Sequence, residues 1–184
     1  MRKGYTLIEL TIVMALLLIV GTIIVGIISS ALRGNTKTKI TTDIAQNGNY
    51  AISVMSDLIT NSQKLNSLTG YPSPTVYPSC PMSPGVLGKS LSITGLDGGI
   101  TIFACDDSRH TITSNSASLL DTTQVILSSD PNTSCSITCT QTDIYSSPRI
   151  DIKFQLQNAT GATSEKSASA NFNTSVFLRN QGLK

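Results

Sequence analysis

The residues of this chain that could do chemistry are few. It holds one histidine, four cysteines and eleven acidic side chains, only two of them glutamates. His110 follows Asp106 and Asp107 at short range, the one place where an imidazole and carboxylates could share a proton or a metal ion. A metal site wants a further ligand of that kind, and spacing around a lone histidine defines no Ser–His–Asp constellation. Asp106-Asp107-Ser108-Arg109 is also what a solvated turn looks like, its side chains bonded to their own backbone. The turn reading outweighs the catalytic one. No catalytic residue, metal site or cofactor is expected.

Cys80, Cys105, Cys135 and Cys139 offer thiol chemistry. Zinc favours closely spaced ligand pairs, whereas a single C-x3-C stands here beside two scattered cysteines. An even count in an exported domain instead implies two disulfides, with three possible pairings. The favoured pairing is Cys80–Cys105 with Cys135–Cys139, the latter closing across a tight turn. Within one straight strand Cys135 and Cys139 would lie about 13 Å apart and could not bond.

The elements that carry these residues follow from the distribution of charge. Leu10 to Leu32 are 23 residues without a charged side chain. As a helix the run is roughly 34 Å long, enough for a hydrocarbon core of about 30 Å. The chain is a single-pass membrane protein or begins as one. A cleaved secretory signal is the alternative, with Arg2 and Lys3 as its basic start and Ser29-Ser30-Ala31 as its cleavage region. The run is too long for that core, and Glu9 immediately before it carries a cost near lipid.

Gly4-Tyr5-Thr6-Leu7-Ile8-Glu9-Leu10, leading straight into the apolar run, resembles the prepilin processing motif of type IV pilins and pseudopilins. The shared features are a short basic leader, a glycine before the cut, an aromatic first mature residue and a glutamate at mature position five. The leader is very short, and Tyr5 stands where phenylalanine is commoner. The resemblance covers about the first 30 residues. It implies cleavage after Gly4, methylation of the new amine on Tyr5, and an assembly role for Glu9. That amine has a reference pKa near 8 and stays positive when methylated. A carboxylate at Glu9 paired with a neighbour's ammonium would remove two costly charges from lipid at once.

Beyond Arg33 the pattern becomes amphipathic: Ile40, Ile44, Ala51, Met55, Leu58 and Leu65 fall at near-helical spacing. This predicts helix to about Asn66, with weak points at Gly34 and at Asn47-Gly48-Asn49. Five prolines between Pro72 and Pro84 predict an extended connection. Thereafter short alternating runs predict strands near 91–94, 100–105, 110–113, 124–128, 135–140, 150–156 and 172–178. Asp97-Gly98 marks a hairpin. The expected class is α+β, a long N-terminal helix packed on an antiparallel sheet. The expected parts are a leader (1–4), a membrane or filament-core helix (5–32), an amphipathic helix (33–66), a Pro-rich loop (67–89) and a β domain (90–184). The closing run Thr174–Asn180 also resembles the last strand of some minor pilins and pseudopilins.

The resemblance implies a structural role rather than an enzyme. The chain would be a minor pilin or pseudopilin of a pilus-like or type II secretion-like filament. Its partners would be the prepilin peptidase and methyltransferase, other pilin or pseudopilin subunits, and an inner-membrane assembly platform. The location would be the cytoplasmic (inner) membrane with the C-terminal part outside, then a periplasmic or extracellular filament. Arg2 and Lys3 at one end, with Arg33, Lys37 and Lys39 at the other, leave the positive-inside rule undecided. Two alternatives stand beside this reading. One is an unassembled membrane-tethered binding module. The other is a DNA-capturing minor pilin, for which a net charge of +2 gives no broad basic surface.

Overall fold

The structure is a computed structural model and describes residues 6–81, 85–129, 134–143, 146–159 and 167–179. A single helix, α1 (Leu7–Thr60), opens it. The chain divides into two units, Met1–Lys39 and Ile40–Lys184. In the first unit the large apolar side chains from Leu7 to Leu32 are exposed, between 50% and 81% of their surface being open. Such a helix satisfies its own backbone and leaves its apolar surface for lipid or other helices.

In the second unit Ile44, Gly48, Ala51, Met55 and Ile59 are buried at steps of three and four residues. That single stripe is the helix's contribution to the core. Gly34 and the Asn47-Gly48-Asn49 trio lie inside α1, which continues through both. Gly48 serves close approach instead of breakage: a Cβ there would fall 2.1 Å from the Phe172 ring. Asn47 also docks, its Nδ2 donating to the Asp43 carbonyl and its Oδ1 accepting from the Asp121 N–H, both at 2.9 Å.

The sheet is built from β1 (Ser62–Gly70), β2 (Val76–Tyr77), β3 (Val86–Gly95), β4 (Ile100–Asp106), β5 (Thr111–Ser114), β6 (Ala117–Ser118), β7 (Val125–Leu127), β8 (Cys135–Thr140), β9 (Arg149–Asn158) and β10 (Ser169–Phe177). The main order is β10-β9-β8-β3-β4-β5-β6, with β1 on the other side of β3, β2 beside β1, and β7 on β9. Every pairing is antiparallel. The predicted α+β class therefore holds. Ile150, Ile152, Phe154 and Leu156 of β9 are buried together, as their alternation predicts. Phe154 stacks on Phe172 of β10 with centroids 5.2 Å apart. Asp97-Gly98 turns the β3–β4 hairpin, with Gly98 at φ 79° and the Gly99 N–H bonded to Asp97 Oδ1.

The largest departure from expectation lies between residues 61 and 70. The helix stops at Thr60, six residues before Asn66, and Ser62–Gly70 is strand. Asn61 donates to Asp57 Oδ1, and the Ser62 hydroxyl donates to the Ile59 carbonyl, closing the last turn with side chains. Leu65 closes the near-helical series of the sequence, but it belongs to a strand in which buried Ser62, Leu65 and Leu68 recur every three residues because of β-bulges. The register against β3 shifts between Leu65 and Ser67, and again on either side. Each bulge adds a residue to one strand and stretches the period of two towards three. The Pro-rich connection is correspondingly shorter than 67–89, since β1 runs to Gly70, β2 lies within it and β3 begins at Val86.

Candidate membrane and assembly segment

At the head of the described chain, Thr6 caps α1. The Glu9 N–H bonds the Thr6 carbonyl at 3.1 Å and its Oγ1 at 3.4 Å, and the Leu10 N–H bonds the same carbonyl. Thr6-Leu7-Ile8-Glu9 has the spacing of a capping box, with Glu9 at the third helical position. T-x-x-E before an apolar run is the sequence signal for this role of Thr6. Glu9 therefore sits in the first turn, where the helix dipole favours negative charge. Gly4 and Tyr5 lie outside the described residues.

Within the apolar run the threonine hydroxyls are absorbed by the helix. Thr11 donates to the Ile8 carbonyl at 2.9 Å and Thr22 to the Ile19 carbonyl at 2.8 Å. Unpartnered hydroxyls would be costly in a lipid or helix-bundle setting. The run is long and apolar enough to cross a membrane.

In the second unit the cysteines are joined as Cys80–Cys139 and Cys105–Cys135, with Cα separations of 5.4 and 5.8 Å. This corrects the favoured pairing of Cys80–Cys105 with Cys135–Cys139. Cys135 and Cys139 belong to one strand, β8, and both point into the core, so neither can reach the other. The observed bonds are nested. Both β4 and β8 pair with β3, Ser90 lying opposite Ala104 and Gly88 opposite Ile137. The inner bond joins those two strands, and the outer one ties the connection before β3 to the far end of β8.

The Asp106-to-His110 segment is a turn. Asp106 Oδ1 accepts from the Ser108 hydroxyl and from the N–H groups of Ser108 and Arg109. These bonds, the Ser108 hydroxyl foremost, hold its carboxyl below the usual range. Asp107 turns elsewhere, to Lys89 Nζ at 3.0 Å and the Ser134 hydroxyl at 3.3 Å, while the same ammonium lies 5.0 Å from the Tyr71 ring centre. This polar clasp beside the inner disulfide has no single-sequence signal, because its members come from four separated segments. No group of three metal-ligating side chains occurs among the described residues.

On the outer sheet face Asp151 accepts from Ser175 Oγ and from Arg149. Burial pushes its carboxyl upward, but the Ser175 and Arg149 hydrogen bonds outweigh it and the net shift is down. An open groove of about 310 Å³ runs between Ser56 and Thr60 of α1 and the Thr174–Phe177 end of β10. Its walls carry hydroxyls, Phe177 and the single cation Arg179, with no pairing of nucleophile and base.

Residues 1–31 match the family model described as the prokaryotic N-terminal methylation motif, the signal of type IV pilins and pseudopilins. No curated protein and no solved structure matches the chain.

Proposed function

We propose that this chain, which carries the type IV pilin and pseudopilin signal, is a structural subunit of a filament and not a catalyst. The motif marks a pilin-like protein processed by prepilin peptidase. The proposal adds that the subunit is a minor pilin or pseudopilin of a pilus-like or type II secretion-like fibre. The observation that carries it is the match over residues 1–31, which takes in nearly all of the exposed apolar stretch of α1.

The chemistry is that of a charge created by proteolysis. While the leader is attached, the nitrogen of Tyr5 is a neutral amide. Cleavage after Gly4 turns it into an amine with a reference pKa near 8, and one methyl group leaves its charge in place. Glu9 of an incoming subunit then meets the ammonium of a subunit already seated. Each charge is expensive in an apolar bundle, and pairing removes most of that expense, so subunits settle at the offset that brings the two together. The apolar surface of α1 makes the fibre core, and the disulfide-bonded sheet domain clothes it. The resemblance of the run Thr174–Asn180 to the last strand of some minor pilins and pseudopilins supports that assignment.

Intact mass of the protein from the membranes of its native host tests the route. Loss of Met1 to Gly4 with one added methyl group is expected. A chain still starting at Met1, or one starting near Leu32, refutes it.

A further inference from the structure

We infer that Arg33, Lys37 and Lys39 form a collar that binds the phosphate groups of membrane lipids and selects anionic lipids around α1. Crossing a membrane needs only the apolar run, whereas this collar is a recognition element added to it. The three cations follow directly on Leu32, and all three side chains are exposed. The nearest carboxylates along the chain are Glu9, before the apolar run, and Asp43, one helical turn beyond Lys39.

The geometry suits a headgroup layer. Arg33 to Lys39 is about 9 Å along the helix axis. The layer outside the hydrocarbon core is roughly 5–7 Å deep on each side. With the apolar run filling the core, Arg33 stands at its edge and the lysines reach through the phosphate level, their stems lying along the helix. At about 100° per residue, Arg33 and Lys37 share one side and Lys39 lies roughly a third of a turn from Arg33 and nearly half a turn from Lys37, so the collar meets several lipids. Thr36 and Thr38 between them turn their hydroxyls inward to the Leu32 and Gly34 carbonyls, at 3.1 and 3.0 Å. Each cation near an anionic surface is worth about fivefold in association. The inference needs α1 in a bilayer and holds whether or not the chain enters a filament.

The test uses the full chain in phosphatidylcholine vesicles with spin-labelled phosphatidylglycerol or phosphatidylcholine, read as the relative association of the two labels with the protein. The wild-type chain is expected to prefer phosphatidylglycerol about threefold or more at low salt. Arg33→Gln/Lys37→Gln/Lys39→Gln should lose at least half of that preference, the remainder belonging to Arg2 and Lys3. Arg2→Gln/Lys3→Gln should keep at least half and lose it in 0.5 M sodium chloride, about 4 Å of screening length. This second variant decides the matter if the first fails to insert. Equal preference in the collar variant, or none in the Arg2/Lys3 variant, overturns the inference. Abolition by inorganic phosphate at matched ionic strength also overturns it, since the site would then be one for free anions.

Discussion

Replacing Cys80 and Cys139 by alanine should destabilise the sheet domain by nearly the same amount as replacing Cys105 and Cys135, although their sequence separations are 59 and 30. The reason is the nesting. With the inner bond intact, the shortest path between Cys80 and Cys139 runs 25 residues to Cys105, across the sulfurs, then 4 residues from Cys135 to Cys139. The outer bond thus closes an effective loop of 29 residues; with the outer bond intact, Cys105 and Cys135 are already joined by parallel paths of 30 and 29 residues, so the inner bond closes an effective loop of about 15. Loop-closure entropy gives about 3.6 kcal/mol for the outer bond and about 3.0 kcal/mol for the inner. Alanine is chosen because all four positions are buried and serine would add a buried hydroxyl. Urea unfolding of the full chain in detergent, followed by tyrosine fluorescence, should show midpoints lowered by about 2 M in both variants, taking a slope of about 1.5–2 kcal/mol/M. The alternative pairing of Cys80–Cys105 with Cys135–Cys139 would give loops worth about 3.5 and 1.9 kcal/mol. A tryptic map tells these two pairings apart independently. The nested bonds hold three peptides together, 65–89, 90–109 and 110–149, whereas the alternative leaves 110–149 separate with an internal bond. A free 110–149 peptide, or a gap above about 1.5 kcal/mol between the two variants, would sink the reasoning.

Glu9→Gln should be cleaved and methylated normally yet fall at least tenfold in sheared filaments, as judged by immunoblot; wild-type incorporation would remove Glu9 from assembly. Thr6→Ala should cost the helix terminus about 1 kcal/mol, visible as faster amide exchange in the first turn but not elsewhere. Gly48→Ala should destabilise the sheet domain by about 1–3 kcal/mol, because its Cβ must displace the Phe172 ring, and an unchanged unfolding midpoint would contradict the close approach. Asp106, Asp121 and Asp151 all have carboxyls held below their ordinary value. Their stabilisation is therefore complete above about pH 4 and is lost as the pH falls through the lowered folded values. Unfolding midpoints should be flat from pH 7 to 5 and drop below 4, with a shallower drop in Asp151→Asn.

Legibility in the sequence followed the cleanness of the period. β9 alternates without a bulge, so Ile150 to Leu156 were readable residue by residue, and β8 was readable to its ends. β1 was not, because its bulges imitate the spacing of the helix it follows. Asn47 and Gly48 looked like helix breakers, since their propensities are local, while their partners Asp121 and Phe172 are far along the chain. The processing motif was readable because it is contiguous. The cysteine pairing failed for the opposite reason: it depends on β4 and β8 sharing one side of β3, which no spacing along the chain encodes.

The outer disulfide also determines how the chain meets mechanical load. A pull between the two ends of the chain travels along the backbone to Cys80, crosses to Cys139 through sulfur, and continues into β9. The intervening stretch, whose ends are 59 residues apart, carries no tension. At about 3.3–3.6 Å per extended residue, roughly 200 Å of chain stays coiled however hard the ends are drawn. β3, β4 and β8 thus sit in a shielded pouch, and stretching can strip only the strands outside it. A domain wired in this way yields by a short, fixed length and keeps the centre of its sheet.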